Sequence, residues 1–86
     1  MQAVEHDGKR ILVINLEGVY HALDGICTHE YAELDKSFLL GETLKCHLHL
    51  SEFDVVTGEV HTAPASEPLR KYVVKIVDST IFVEAD

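Results

Sequence analysis

The stretches Cys27-Thr28-His29 and Cys46-His47-Leu48-His49 decide how this chain is read. Sixteen residues, Glu30 to Lys45, separate them. The pattern is C-x-H, a spacer, then C-x-x-H. It uses both cysteines of the chain, and each stands within three residues of a histidine. Thiolate and imidazole are the side chains that hold zinc, iron or copper. Two short segments, each presenting a Cys and a His, suit a site made of two loops. Each loop then needs one short turn, and the sequence on either side must supply a firm frame.

Outward from these segments the frame reads as β. Asp7-Gly8 separates Gln2–His6 from Lys9–Leu16, Glu17-Gly18 separates that run from Val19–Leu23, and Asp24-Gly25 closes it just before the first segment. Such pairs between apolar runs are strong hairpin signals. Val56-Thr57-Gly58 marks another turn, and Asp78-Ser79 parts Tyr72–Val77 from Ile81–Glu84. The runs are rich in Val, Ile, Tyr and Phe, which suit a pleated, half-buried surface. The expected fold class is therefore all-β, antiparallel, with short strands. Glu30–Leu40 reads as a helical turn or irregular loop with Ala32 and Leu34 tucked inward. Pro64 and Pro68 predict a loop from Val60 to Leu69. Residues 1–25 and 67–86 are expected to form a base sheet, and residues 26–66 an inserted subdomain, within one domain.

With 86 residues the chain makes one small domain, a size at which a metal often supplements a marginal core. Hydrophobic content is 47%, which excludes a disordered chain. No apolar run approaches the roughly 20 residues of a membrane span. No basic-then-apolar leader argues for export, so a cytoplasmic location is expected. The net charge of −8 disfavours nucleic acid and anionic membranes and suits docking to a basic protein patch.

Three readings of the Cys/His segments stand at this point. In one, Cys27 and Cys46 bind one iron of a 2Fe–2S cluster as thiolates, while His29 and His49 bind the other as neutral imidazoles. Two neutral ligands remove two negative charges, so adding an electron costs less Coulomb energy and the potential is high for such a cluster. In the second, the four side chains hold a structural zinc ion, although familiar zinc modules pair like ligands with like. In the third, the cysteines are buried and the histidines incidental, as His6, His21 and His61 are expected to be. His47, beside Cys46 in a tight loop, is expected to support the site or face solvent rather than to bind metal.

Longer segments carry a resemblance. Ile26-Cys27-Thr28-His29, Ala32-x-Leu34, Leu44-Lys45-Cys46-x-x-His49 and Phe53-Asp54-x-x-Thr57-Gly58-Glu59-Val60 are similar to a Rieske-type 2Fe–2S ferredoxin. Ala63-Pro64-Ala65-Ser66-Glu67-Pro68-Leu69 and Tyr72-x-Val74-Lys75-Ile76 extend the likeness, which runs from Ala3 to Val83. The resemblance implies a small Rieske fold with one cluster held by Cys27, His29, Cys46 and His49 at the tip of the inserted subdomain. It implies a non-enzymatic one-electron carrier between redox proteins, from a reductase to an acceptor such as an oxygenase. The alternative function is a metal-stapled docking or regulatory module of a larger redox enzyme.

It also implies a supporting set. The loop around Pro64 would cover one side of the cluster. Ser51 stands where high-potential members place a hydroxyl on a cluster sulfur, and Phe53 stands where they place a tyrosine. Lacking that second hydroxyl, the chain is expected in the lower half of the Rieske range. Leu50 occupies a position that is commonly Gly, so either the loop departs from the usual geometry or φ is ordinary there. The family commonly has a further strand ahead of the segment that begins here at Met1. Its absence would leave an exposed sheet edge.

Overall fold

The computed structural model describes residues 1–28, 32–47, 50–63 and 67–84. Strands β1 (Gln2–His6), β2 (Lys9–Leu16) and β3 (Val19–Asp24) form an antiparallel meander. The chain then makes a 3-10 turn (Leu34–Lys36) and four short strands, β4 (Phe38–Leu40), β5 (Thr43–Lys45), β6 (Glu52–Asp54) and β7 (Val60–Thr62). It returns through β8 (Lys71–Val77) and β9 (Thr80–Glu84). The base sheet runs β1-β2-β3-β8-β9, and the second sheet β4-β5-β6-β7. The fold is thus all-β but for one turn of 3-10 helix.

The hairpin turns follow the expected chemistry. Both central residues have positive φ at Asp7-Gly8, Glu17-Gly18 and Asp78-Ser79, the condition for tight turns whose twist matches that of the strands. Two expectations inside the lobe need correction. Glu30–Leu40 contains strand β4 besides its helical turn. Val60–Thr62 is a strand rather than loop, because the prolines follow it and Val60 and Thr62 pair with Phe53 and Glu52 of β6 across a register shift. Strands of three residues carry too little periodicity to be seen in sequence. Ala32 and Leu34 are buried as expected.

The β2 alternation sorts two faces. Leu12 and Ile14, with Leu23 of β3, pack with Leu34, Leu44, Phe53, Val55 and Leu69, so one core joins base sheet and lobe. Ile11, Ala22 and Tyr72 form a smaller core on the other face. It opens into a groove of about 330 Å³ lined by Val4, Ile11, Val13, Ile81 and Val83 among others. Strands β1 and β9 are the edges of this sheet.

Polar ties reinforce the joint. Arg10 on β2 forks onto Asp35 at 3.1–3.2 Å and reaches Glu33 at 3.1 Å. The Asp35 carboxylate holds its guanidinium above the ordinary pKa. Lys71 Nζ lies 3.0 Å from His21 Nδ1 and 3.4 Å from the Val55 carbonyl. Partial burial lowers the pKa of both Lys71 and His21, and the lysine charge lowers His21 further. His21 thus belongs to the joint between base sheet and lobe.

Asp54 organises the turn after β6. Its Oδ1 accepts the amides of Val56 and Thr57 at 2.8 and 3.0 Å, and these bonds lower its carboxyl pKa, Thr57 foremost. Gly58 ends the turn at φ +82, and a Cβ there would collide with the Leu69 carbonyl oxygen. Backbone conformation and close approach both require glycine. Gly58→Ala should therefore cost more than about 2 kcal/mol, a fall of roughly 10 °C or more in Tm for a chain of this size. Thermal unfolding followed by circular dichroism measures it.

Candidate metal centre

The first expected ligand, Cys27, follows β3 after Gly25 and Ile26. The second, Cys46, directly follows β5. Both belong to the large core, with relative exposures of 4% and 0%. They are not joined in a disulfide.

Each cysteine heads a loop closed in the same way. The Cys27 amide donates to the Ala32 carbonyl at 2.9 Å, and the Cys46 amide donates to the Ser51 carbonyl at 2.8 Å. Both bonds span five residues, and each loop contains one expected histidine ligand. His29, His49 and Pro64 themselves lie outside the described residues. Elsewhere among the described residues no group of three or more His, Cys, Asp and Glu side chains is placed to hold a metal ion. The two buried cysteines at the heads of equal loops are soft sulfur donors of the kind that hold iron or zinc.

Neighbouring bonds position the loops. Leu34 donates its amide to the Gly25 carbonyl at 2.8 Å, and an Ile26–Glu33 bridge spans the base of the first loop. Thr28 Oγ1 donates to the Glu67 carbonyl at 2.8 Å, which ties the first loop to the residue before Pro68. In the second loop the Leu50 amide donates to the Cys46 carbonyl at 3.1 Å. Leu50 has φ +61, so the loop keeps the geometry that glycine usually serves, with a leucine in it. Ser51 and Phe53 are fully buried, and Phe53 stands opposite Leu44 and Val60 on β6.

His47 turns out to be half-buried and fastened by Ser37, a residue the sequence reading passed over. The Ser37 hydroxyl accepts the His47 amide N–H at 3.2 Å and lies 3.0 Å from His47 Nδ1. Ser37 stands nine residues before Cys46, with no spacing signal to mark it. Only the pairing of β4 with β5, Phe38 opposite Lys45, brings it to the loop.

Comparisons with known proteins follow this geometry. A family model described as "Rieske [2Fe-2S] domain" matches residues 1–73. The ferredoxin component of the naphthalene 1,2-dioxygenase system of Pseudomonas aeruginosa is 35% identical over 78 residues, covering 91% of this chain and 75% of that protein. The solved structure of Sphingomonas yanoikuyae B1 ferredoxin superposes with a TM-score of 0.93 at 28% identity, covering 99% of this chain and 84% of that one. A chain from the complex of reduced oxygenase and oxidized ferredoxin in carbazole 1,9a-dioxygenase superposes with a TM-score of 0.91 at 26% identity, covering 96% and 86%.

The Ser37 contact is testable. Ser37→Ala leaves the His47 amide and Nδ1 without this partner, a loss of about 1 kcal/mol for a partly buried pair. Its Tm should fall and its visible absorbance should bleach faster in air, with Ser37→Thr restoring both. Equal bleaching rates would show that the contact does not hold the loop.

Proposed function

The chain belongs to the Rieske [2Fe-2S] domain family, and on that footing we propose that it carries single electrons from a reductase to an oxygenase. In this reading Cys27 and Cys46 would hold one iron as thiolates, and His29 and His49 would hold the other as imidazoles. When bound, the cluster supplies a site that takes up and gives back one electron without any bond being made in the protein. The observation that carries this reading is the pair of equal loops, each headed by a buried cysteine in the common core.

The work of the polypeptide is then positional. The loop-closing bonds fix both cysteine backbones, and fixed dipoles need little rearrangement when charge arrives. Burial of both cysteines keeps water from that side. Ser37 holds His47 beside the second loop, and Thr28 holds Glu67 beside the first. Ser51 and Phe53 are buried where the second loop rejoins the lobe at β6. The lobe at 26–66 serves as the cluster-binding part and the remaining strands as its base. The acidic surface, net −8, speeds encounter with basic partner faces and makes it sensitive to salt. No helix among the described residues is long and apolar enough to cross a membrane. No disulfide joins the two cysteines, which suits a carrier of a reducing compartment such as the cytoplasm.

Two measurements test the reading. Protein purified without oxygen should be red-brown, and on reduction should give a one-electron EPR signal of the low-g Rieske type that Cys27→Ser abolishes. A colourless protein with stoichiometric zinc would overturn it. Second, Phe53→Tyr adds a hydroxyl where none stands. A bond to cluster sulfur favours the reduced state and should raise the potential by about 60 mV, as for one charge-assisted hydrogen bond in a one-electron couple. An unchanged value in voltammetry would mean that the hydroxyl does not reach sulfur.

A further inference from the structure

Five non-glycine residues among those described have positive φ. Asp7, Glu17, Asp78 and Ser79 are polar and sit in hairpin turns. Leu50 is the only apolar one, at φ +61. The left-handed region is strained for a side chain with a Cβ and unstrained for glycine. The backbone bond from the Leu50 amide to the Cys46 carbonyl would form equally well with glycine. The side chain recovers little of that cost by burial, because 51% of Leu50 is exposed. For the isolated chain, leucine is therefore the poorer choice on two counts. Strain held at such a position points to a use for the side chain outside the fold.

The surroundings indicate what that use is. Phe38 begins β4 next to Ser37, which fastens His47, and stands opposite Lys45, the residue before Cys46. It is 55% exposed. Two large exposed apolar residues thus flank the second ligand loop. The segment that carries them is acidic on balance. Eight of the fifteen acidic residues and two of the seven basic ones lie between residues 26 and 67. Both of those lysines sit against carboxylates, Lys36 at 3.4 Å from Glu33 and Lys45 at 3.6 Å from Glu52.

We propose that Leu50, flanked by Phe38, is the apolar anchor on which the electron acceptor docks. The complementary surface is a protein face with an apolar depression ringed by lysine and arginine. Interface energy concentrates on a few apolar anchors of this kind, with charge at the rim. The proposal rests on the carrier reading above. It adds the residue that selects the partner and sets the approach to the second loop.

The test uses the cluster-loaded chain, reduced without oxygen and mixed in stopped flow with two acceptors. One is ferricyanide, too small to need a docking face. The other is an oxygenase component that the wild-type chain reduces, that of the naphthalene 1,2-dioxygenase system being the first to use. Leu50→Gly should leave the EPR signal and the ferricyanide rate unchanged, and Tm equal or higher. Its second-order rate constant with the oxygenase should fall about tenfold. Leu50→Met, which keeps the apolar bulk, should recover most of that loss. Equal oxygenase rates for wild type and Leu50→Gly would overturn the anchor and leave the carrier role standing. An altered EPR signal or ferricyanide rate would assign Leu50 to the cluster loop and also overturn the anchor. A wild-type chain that reduces ferricyanide but no oxygenase component would overturn the carrier reading, and the anchor with it.

Discussion

The amides of Cys27 and Cys46 each reach a carbonyl five residues onward, at 2.9 and 2.8 Å, and the side chains of both residues sit in the core that Leu12, Ile14 and Leu23 share with the lobe. Loop and core are coupled at these two residues. A ligand loop could shift only by breaking its closing bond and opening apolar packing, and each of those costs free energy. Both cysteine backbones are thus fixed by hydrogen bonds and packing of the polypeptide itself. The remaining contacts, Arg10 onto Asp35 and Lys71 onto His21 and Val55, strengthen the joint on which that arrangement depends.

The ligand loops lie in a strongly acidic part of the chain, where basic residues are few and engaged. Partner recognition can then be divided between long-range attraction, set by the whole charge distribution, and a short-range apolar contact beside the cluster. Charge governs the rate of encounter and packing governs its register. A carrier that must leave one partner for the next gains from that division, because a small apolar contact need not be tight.

Much of the frame is legible along the chain. The pairs Asp7-Gly8 and Glu17-Gly18 announce their hairpins, and the alternation in Lys9–Leu16 announces a strand with two working faces, because these signals are local and strong. The strands of the lobe are not legible in this way. Phe38–Leu40, Thr43–Lys45, Glu52–Asp54 and Val60–Thr62 have three residues each, too few for a period, and they exist because they pair with one another. Ser37 escaped notice for a related reason. Nothing in its neighbours marks it, and its hydroxyl matters only once β4 lies beside β5.

The sequence by itself determined the donor set, two cysteines each within three residues of a histidine, along with the all-β class and the turns, since each of these depends on residue type at short spacing. Only the tertiary structure decided how the sites are held: both cysteines in one core, Ser37 on His47, and Leu50 strained and exposed beside the second loop. These follow from contacts between segments far apart in the chain, and from a backbone angle that leucine would not adopt without the closed loop around it.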